Sequence, residues 1–316
     1  MSAPLMLHGI HHVTAVTANA RANHHFYTGA LGMRLVKKTV NQDDVSVYHL
    51  FYADGEGRPG TDLTFFEFPT LPERRGTQAV TRTMLRVRDA QSLDYWQKRF
   101  ADHHVKQEAI LEIDGRASLL FEDHEGQRLA LIADPASLPG APWAGTDIPA
   151  AHQILGLGPV EISVVDLGPT ERFVTTLYGM ALSRHYQRPD GTTIAVFEMG
   201  NGGADKELHI AVEPHLRRTG PGAGGVHHIA FRTRDDEYAA WIARYEALGL
   251  RSSGPVDRFW FRSLYVREPN HVLFEIATDG PGFDADEPKE TMGQSLSLPP
   301  FLAHRRAEIE AGLAPL

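Results

Sequence analysis

A nine-residue pattern occurs twice in this chain, and it limits the folds open to it more than any other feature. Gly9-Ile-His-His-Val-Thr-Ala-Val-Thr17 and Gly225-Val-His-His-Ile-Ala-Phe-Arg-Thr233 both open with glycine, a β-branched residue and two histidines. Each runs into a helix-like stretch with the same ending, Ala30-Leu-Gly-Met-Arg34 in one and Ala247-Leu-Gly-Leu-Arg251 in the other. Phe26, Thr28, Gly32, Met33 and Leu35 recur as Phe173, Thr175, Gly179, Met180 and Leu182, behind a strand-like run at 160–165. A fainter copy passes from 83–87 through 92–103 to 117–132. Repetition of this kind marks one small unit used several times, because a single unit cannot bury its apolar face alone.

Each unit reads as a strand, a helix and then alternating apolar runs closed by turn residues, such as 45–52 and 63–68. Glycine stop signals stand at Gly32, Gly179 and Gly249. The expectation is an α+β chain of four βαβββ modules, at about 8–69, 80–134, 155–214 and 224–278, forming cupped, barrel-like mixed sheets. The modules group into halves 1–145 and 146–279, divided by a Pro/Gly/Ala-rich stretch at 134–159 that reads as a linker. A polar, Pro-rich tail, 280–316, follows and turns helical over 299–311.

Composition removes several classes of function. The net charge of −9 comes from 31 basic and 40 acidic residues without long runs of one sign, which disfavours nucleic acid. The absence of cysteine rules out disulfides, thiolate catalysis, zinc fingers and iron–sulfur clusters. No stretch approaches the roughly 18 consecutive apolar residues of a membrane span, and the first ten residues are too short in apolar residues for the hydrophobic region of a signal sequence. A cytoplasmic protein with no membrane partner is expected. The glycines at 220, 222 and 225 spell G-x-G-x-x-G, but they lead into a strand, whereas phosphate binding needs a helix N-terminus there.

What stands out is 17 histidines. Adjacent strand residues point to opposite faces, so one histidine of each pair can face a common site. His11 shares a face with Val13 and Ala15, and His227 with Ile229 and Phe231, which is the apolar face that belongs beneath a helix. His12 and His228 are left on the open face. In His271-Val-Leu-Phe-Glu-Ile276, Glu275 interrupts an apolar run and faces away from Phe274 and Ile276. A lone carboxylate in a buried strand is costly unless a cation pairs with it. Two histidines and one carboxylate with open positions make the facial triad of non-haem Fe(II) enzymes, and Mn(II) accepts the same ligands. Singly, each residue has an ordinary structural explanation; the repeated position of the pair is what favours a metal. His24-His25 and His103-His104 fall in helical stretches without a matching carboxylate and read as solvated.

These features resemble the vicinal oxygen chelate superfamily of glyoxalases, bleomycin-resistance proteins and extradiol dioxygenases. Within it, Gly9-Ile-His-His-Val-Thr14 and Asp62-Leu-Thr-Phe-Phe-Glu-Phe-Pro69 resemble the hydroquinone 1,2-dioxygenase branch of ring-cleaving enzymes, and the likeness extends over about 7–283. The resemblance implies two glyoxalase-like domains, with His12, His228 and Glu275 as iron ligands. It also implies Arg258 and Tyr265 as pocket residues around them, and His11, Thr14 and His227 at further surrounding positions. The activity implied is extradiol-type cleavage of a hydroquinone- or catechol-type ring by O2, using Fe(II) or else Mn(II). Arg258 would stabilise developing negative charge, and Tyr265 or a second histidine would shuttle a proton. One alternative is a glyoxalase-like isomerase or lyase using nickel or zinc, with Glu67, at the place Glu275 holds in the fourth module, as a fourth ligand. Another is a metal-free protein that sequesters an aromatic ligand. Four repeated units and a long tail lead to the expectation of a homo-oligomer.

Overall fold

A computed structural model describes residues 5–136 and 140–316; residues 1–4, and residues 137–139 within the expected linker, lie outside the described residues. The first module comprises β1 (Ile10–Thr17), α1 (Ala20–His25) continued by a wider π turn over Phe26–Ala30, β2 (Arg34–Val40), β3 (Tyr48–Ala53) and β4 (Asp62–Glu67). The second has β5 (Ala79–Val87), α2 (Ala90–Asp102), β6 (Leu111–Ile113), β7 (Arg116–Glu122) and β8 (Arg128–Ala133). The third has β9 (Gly156–Val164), α3 (Leu167–Tyr178), β10 (Ala181–Gln187), β11 (Thr193–Glu198) and β12 (Glu207–Val212). The fourth has β13 (Val226–Thr233), α4 (Tyr238–Ala247), β14 (Ser252–Asp257), β15 (Arg262–Arg267) and β16 (Leu273–Thr278).

The helices begin and end where side-chain chemistry dictates. Asn19, Asp89 and Asp166 accept hydrogen bonds from the first-turn N–H groups of Ala22, Ser92 and Gly168, which satisfies donors that have no partner inside the helix. Gly179 closes α3 in the left-handed conformation, φ +67°, where a Cβ would be strained. Strands and helices share one core, in which Val13, Ile229, Phe231 and Phe274 cluster with Trp96 of α2, Tyr178 of α3 and Trp241 of α4.

Two eight-stranded sheets result, in the orders β14-β15-β16-β13-β1-β4-β3-β2 and β10-β11-β12-β9-β5-β8-β7-β6. The α+β class and the cupped sheets agree with the sequence, but the sheets join modules across the expected halves. The first module pairs with the fourth and the second with the third, so neither 1–145 nor 146–279 owns a sheet. The expected linker is also packed: Ile148 is buried, and Arg99 of α2 donates to Asp147 and to the carbonyls of Gly29 and Ala30.

The tail folds back onto the first module. Lys37, fully buried, reaches Asp286 at 2.8 Å and also Glu287, and Trp260 donates to Asp286 at 2.8 Å. Leu298, Leu302 and Ile309 pack against Val40. A 3-10 turn, Pro300–Arg305, leads into α5 (Arg306–Gly312) where the sequence predicted a helix. No helix among the described residues is long and apolar enough to cross a membrane.

Candidate metal centre

The pairing register of the first sheet aligns the candidate ligands. His12 lies opposite Ala230, Ala230 is paired with Glu275, and Glu275 with Tyr265. His228 lies opposite Thr14, and Thr14 is paired with Thr64. Residues opposite one another share a face, so one concave surface collects side chains from five neighbouring strands, β15, β16, β13, β1 and β4.

Three atoms converge there. Nε2 of His12 and Nε2 of His228 lie 3.2 Å apart, and Oε2 of Glu275 is 3.3 Å from the first and 2.9 Å from the second. All three residues are buried, Glu275 fully. Adjacent ligands at right angles around an ion with bonds of about 2.1 Å sit about 3.0 Å apart, whereas tetrahedral ligands sit about 3.4 Å apart. Sides of 2.9, 3.2 and 3.3 Å span both spacings, so the triangle fits three ligands of a divalent ion in either geometry. Neither oxygen of the Glu275 carboxylate has a hydrogen-bond donor in acceptable geometry among the described residues. Burial pushes that carboxyl up, but His12 and His228 outweigh it and hold it well below the usual carboxylate range. A buried, ionised carboxylate facing two imidazole nitrogens is the donor set a divalent cation would complete.

The second histidine of each pair is not where strict alternation put it. Between Ile10 and His12 the register slips by one residue on β1, and between Thr14 and Ala15 it slips by one on β13. These bulges fall at His11 and His227 and swing both rings out of the alternating pattern. Nδ1 of His11 lies 2.9 Å from Nδ1 of His12, and Nδ1 of His227 lies 2.8 Å from Nδ1 of His228. Burial, reinforced by His12, lowers the pKa of His11 to about 3, and burial, reinforced by His228, lowers that of His227 to about 4.

A proton assignment follows for the first pair. Nε2 of His11 contacts the carbonyl oxygen of Thr278 at 3.1 Å, which can only accept, so this nitrogen carries the proton. A neutral His11 then presents a bare Nδ1, so Nδ1 of His12 must donate to it. With its Nδ1–H given to His11, His12 has Nε2 as the nitrogen it can offer to a metal in the triangle.

Glu67 does not take the place of Glu275 in the first module. The pairing partner of Thr14, which corresponds to Ala230, is Thr64, and Glu67 pairs with Thr17 on the opposite face. Its carboxylate accepts the N–H of Ala20 at the start of α1, 3.0 Å away.

The surrounding pocket is narrow and aromatic, lined by Phe51, Phe66, Trp260 and Phe261 together with Thr14, His49, Arg258 and Tyr265. About 20 Å³ of free space remains between these side chains, room for one water-sized group. An aromatic ring enters only if the mouth opens. There Gln42 donates to the backbone carbonyl of Arg258 (2.9 Å), and the Arg258 guanidinium reaches Asp43 (3.2 Å). Arg258 also lies 5.8 Å from the centre of the Tyr265 ring, which meets His228 edge-on. Burial, with the Glu275 charge beside it, raises the Tyr265 hydroxyl pKa.

His49 and Thr64 escaped the sequence reading. Nε2 of His49 contacts the Thr64 hydroxyl at 3.0 Å, and that hydroxyl bonds Thr14 at 2.8 Å. Burial, then His12 and His228, lowers the His49 pKa far below normal. Alternation in β3 and β4 separates His49 and Thr64 from their apolar neighbours, but only the sheet order shows which face meets the triangle. His24, His25, His103 and His104 remain outside this site, and the last two are exposed.

Comparisons with known proteins bear on this arrangement. The family model of the glyoxalase/bleomycin resistance protein/dioxygenase superfamily matches residues 9–131 and 156–276. The chain is 46% identical over 316 residues to the provisionally named ring-cleaving dioxygenase MhqA of Bacillus subtilis (strain 168), covering 99% of this chain and 100% of that protein. It is 29% identical over 320 residues to chlorohydroquinone/hydroquinone 1,2-dioxygenase of Sphingobium indicum, covering 98% and 97%. A crystal structure of a provisionally assigned dioxygenase from Bacillus subtilis matches with a TM-score of 0.90 at 31% identity, over 99% of this chain and 98% of that one.

Proposed function

Because the chain belongs to the glyoxalase/bleomycin resistance protein/dioxygenase superfamily, we propose that it cleaves a dihydroxylated aromatic ring with O2, on a metal held by His12, His228 and Glu275. The observation that carries this is the triangle of 2.9, 3.2 and 3.3 Å closed around a carboxylate without hydrogen-bond donors. Fe(II) bound there would supply redox chemistry, Lewis acidity and open positions for substrate oxygen and O2, and Mn(II) accepts the same ligands.

The chain's own groups supply the rest. His11 keeps the proton of His12 on Nδ1, so Nε2 stays available. Phe51, Phe66 and Phe261 give flat apolar walls for a ring and exclude water. Arg258 sets a cation at the mouth that draws in a phenolic oxygen and favours its ionised form. With its raised pKa, Tyr265 stays protonated at neutral pH and can donate a hydrogen bond to an anionic oxygen. His49, kept neutral, can hydrogen-bond a ring hydroxyl. Hydroquinone- and catechol-type rings both fit this chemistry; extradiol geometry and cytoplasmic residence belong to the same proposal. The isomerase alternative loses support, since Glu67, its fourth ligand, is committed to α1.

The test is anaerobic purification, metal analysis, and O2 uptake with hydroquinones and catechols after Fe(II) addition. Uptake abolished by His228→Ala is expected. Bound nickel or zinc with no O2 uptake would sink the dioxygenase reading.

A further inference from the structure

The second sheet builds its own cup on the same plan and fills it with different chemistry. Its central strands β5 and β9 pair antiparallel, with a register slip between Val80 and Arg82 that matches the slip at His11. Arg82 thus stands where His12 stands in the first cup. It lies opposite Glu161, and Glu161 is paired with His209, so Arg82, Glu161 and His209 occupy the places of His12, Ala230 and Glu275. This set cannot repeat the first. Glu161 is taken by Arg188 and Thr81, both within 2.9 Å, and His209 by Tyr186 and Glu207.

What the cup offers is positive charge over an apolar floor. It opens as a cleft of about 550 Å³, within the usual range for small-molecule sites. Met84 and Leu120 form part of the floor, in a cluster with Ala130 and Ile132. Arg82 and Arg128 both line the cleft and are both half-buried. Among the described residues neither has an ion-pair partner. Arg82 donates to the carbonyl of Leu129 at 3.0 Å, and the Arg128 side chain makes no hydrogen bond among the described residues. Of the acids that line the cleft, Glu161, Asp190 and Glu213 are gathered on Arg188, while Glu108 is exposed and makes no ion pair among the described residues. Burial lowers the pKa of both arginines, against the opposing pull of Glu161 and Glu108 on Arg82 and of Glu73 on Arg128. Two guanidinium groups that line one cleft, neither of them in an ion pair among the described residues, fit the two oxygens of a carboxylate.

We propose that this second cup binds an organic anion, a carboxylate on an apolar or aromatic body, with Arg82 and Arg128 holding the carboxylate and Met84 and Leu120 the body. Sodium benzoate is a suitable probe and benzamide its uncharged counterpart, titrated calorimetrically into the metal-loaded protein. Benzoate binds, benzamide does not, and Arg128→Gln weakens benzoate about tenfold or more. The Arg128 side chain makes no hydrogen bond or ion pair among the described residues, so this substitution leaves the melting temperature intact; Arg128→Lys keeps the charge but not the planar fork and recovers only part of the affinity. In His228→Ala, which removes the first cup's chemistry, benzoate affinity is unchanged. The proposal is overturned if wild type gives no benzoate binding, if benzamide binds as well, if Arg128→Gln has no effect, or if His228→Ala abolishes binding. Inorganic phosphate binding as tightly as benzoate would overturn the assignment to an organic anion.

Discussion

Replacing His11 by alanine isolates one link of the site, because His11 touches the candidate metal position only through His12. In the folded chain the Thr278 carbonyl holds the proton of His11 on Nε2, and the bare Nδ1 of His11 takes the proton of His12. Alanine leaves Nδ1–H of His12 buried without an acceptor, which costs about 1–3 kcal/mol. The proton then gains by moving to Nε2, where it faces Glu275 and blocks the lone pair. Loss of such a supporting partner weakens metal binding by roughly 10- to 100-fold, or about 1.4–2.7 kcal/mol, and the two routes agree. His11→Gln should recover most of this, because an amide oxygen can accept from His12 while its NH2 donates to Thr278. The assay is an anaerobic competition titration of Fe(II) against a chromophoric chelator. The reasoning is refuted if His11→Ala binds iron within about twofold of wild type, or if glutamine performs no better than alanine.

Other changes probe separate parts of the structure. Glu67→Gln should leave metal content and affinity unchanged and lower the melting temperature slightly, since Glu67 serves only the start of α1; atomic absorption and calorimetry decide. Lys37→Met removes the cation between Asp286 and Glu287 and should destabilise the protein by about 3–5 kcal/mol, as breaking a buried pair does, measured by urea unfolding. Asp62 is buried, and burial followed by the nearby Asp54 raises its pKa well above the ordinary carboxylate value. The folded state therefore keeps a proton that the unfolded state releases near pH 4, so this group's contribution weakens as pH rises beyond that. Asp62→Asn should be more stable than wild type at pH 8 and lose that advantage near pH 4; equal gains at both would refute it.

Much of the site was legible because repetition and alternation are properties of sequence. The duplicated pair singled out His12 and His228, and the polar break in an apolar strand singled out Glu275. The misplacement of His11 and His227 came from the same rule. A bulge adds one residue and reverses the phase of alternation, and nothing in Gly-Ile-His-His or Gly-Val-His-His announces it. Glu67 was matched to Glu275 by its place near a strand end, whereas equivalence is set by register, which leads to Thr64. The pairing of the first module with the fourth was also hidden, because a strand's partner more than 200 residues away is chosen by tertiary packing.

That long-range pairing has a consequence for how the chain comes off the ribosome. β1 is made first, yet its antiparallel neighbour β13 begins only at Val226, and β16, with Glu275, is among the last strands made. The strands from Ala79 to Val212 are contiguous in the chain and can complete their sheet while the first module still waits. Until β13 arrives, β1 presents an unpaired edge to other nascent chains, and bringing the two strands together closes a loop of about two hundred residues. A chain stopped anywhere before Glu275 therefore lacks more than its final segment. It carries an open sheet edge and an incomplete triangle, so truncation by even one module leaves an aggregation-prone chain without its candidate metal site.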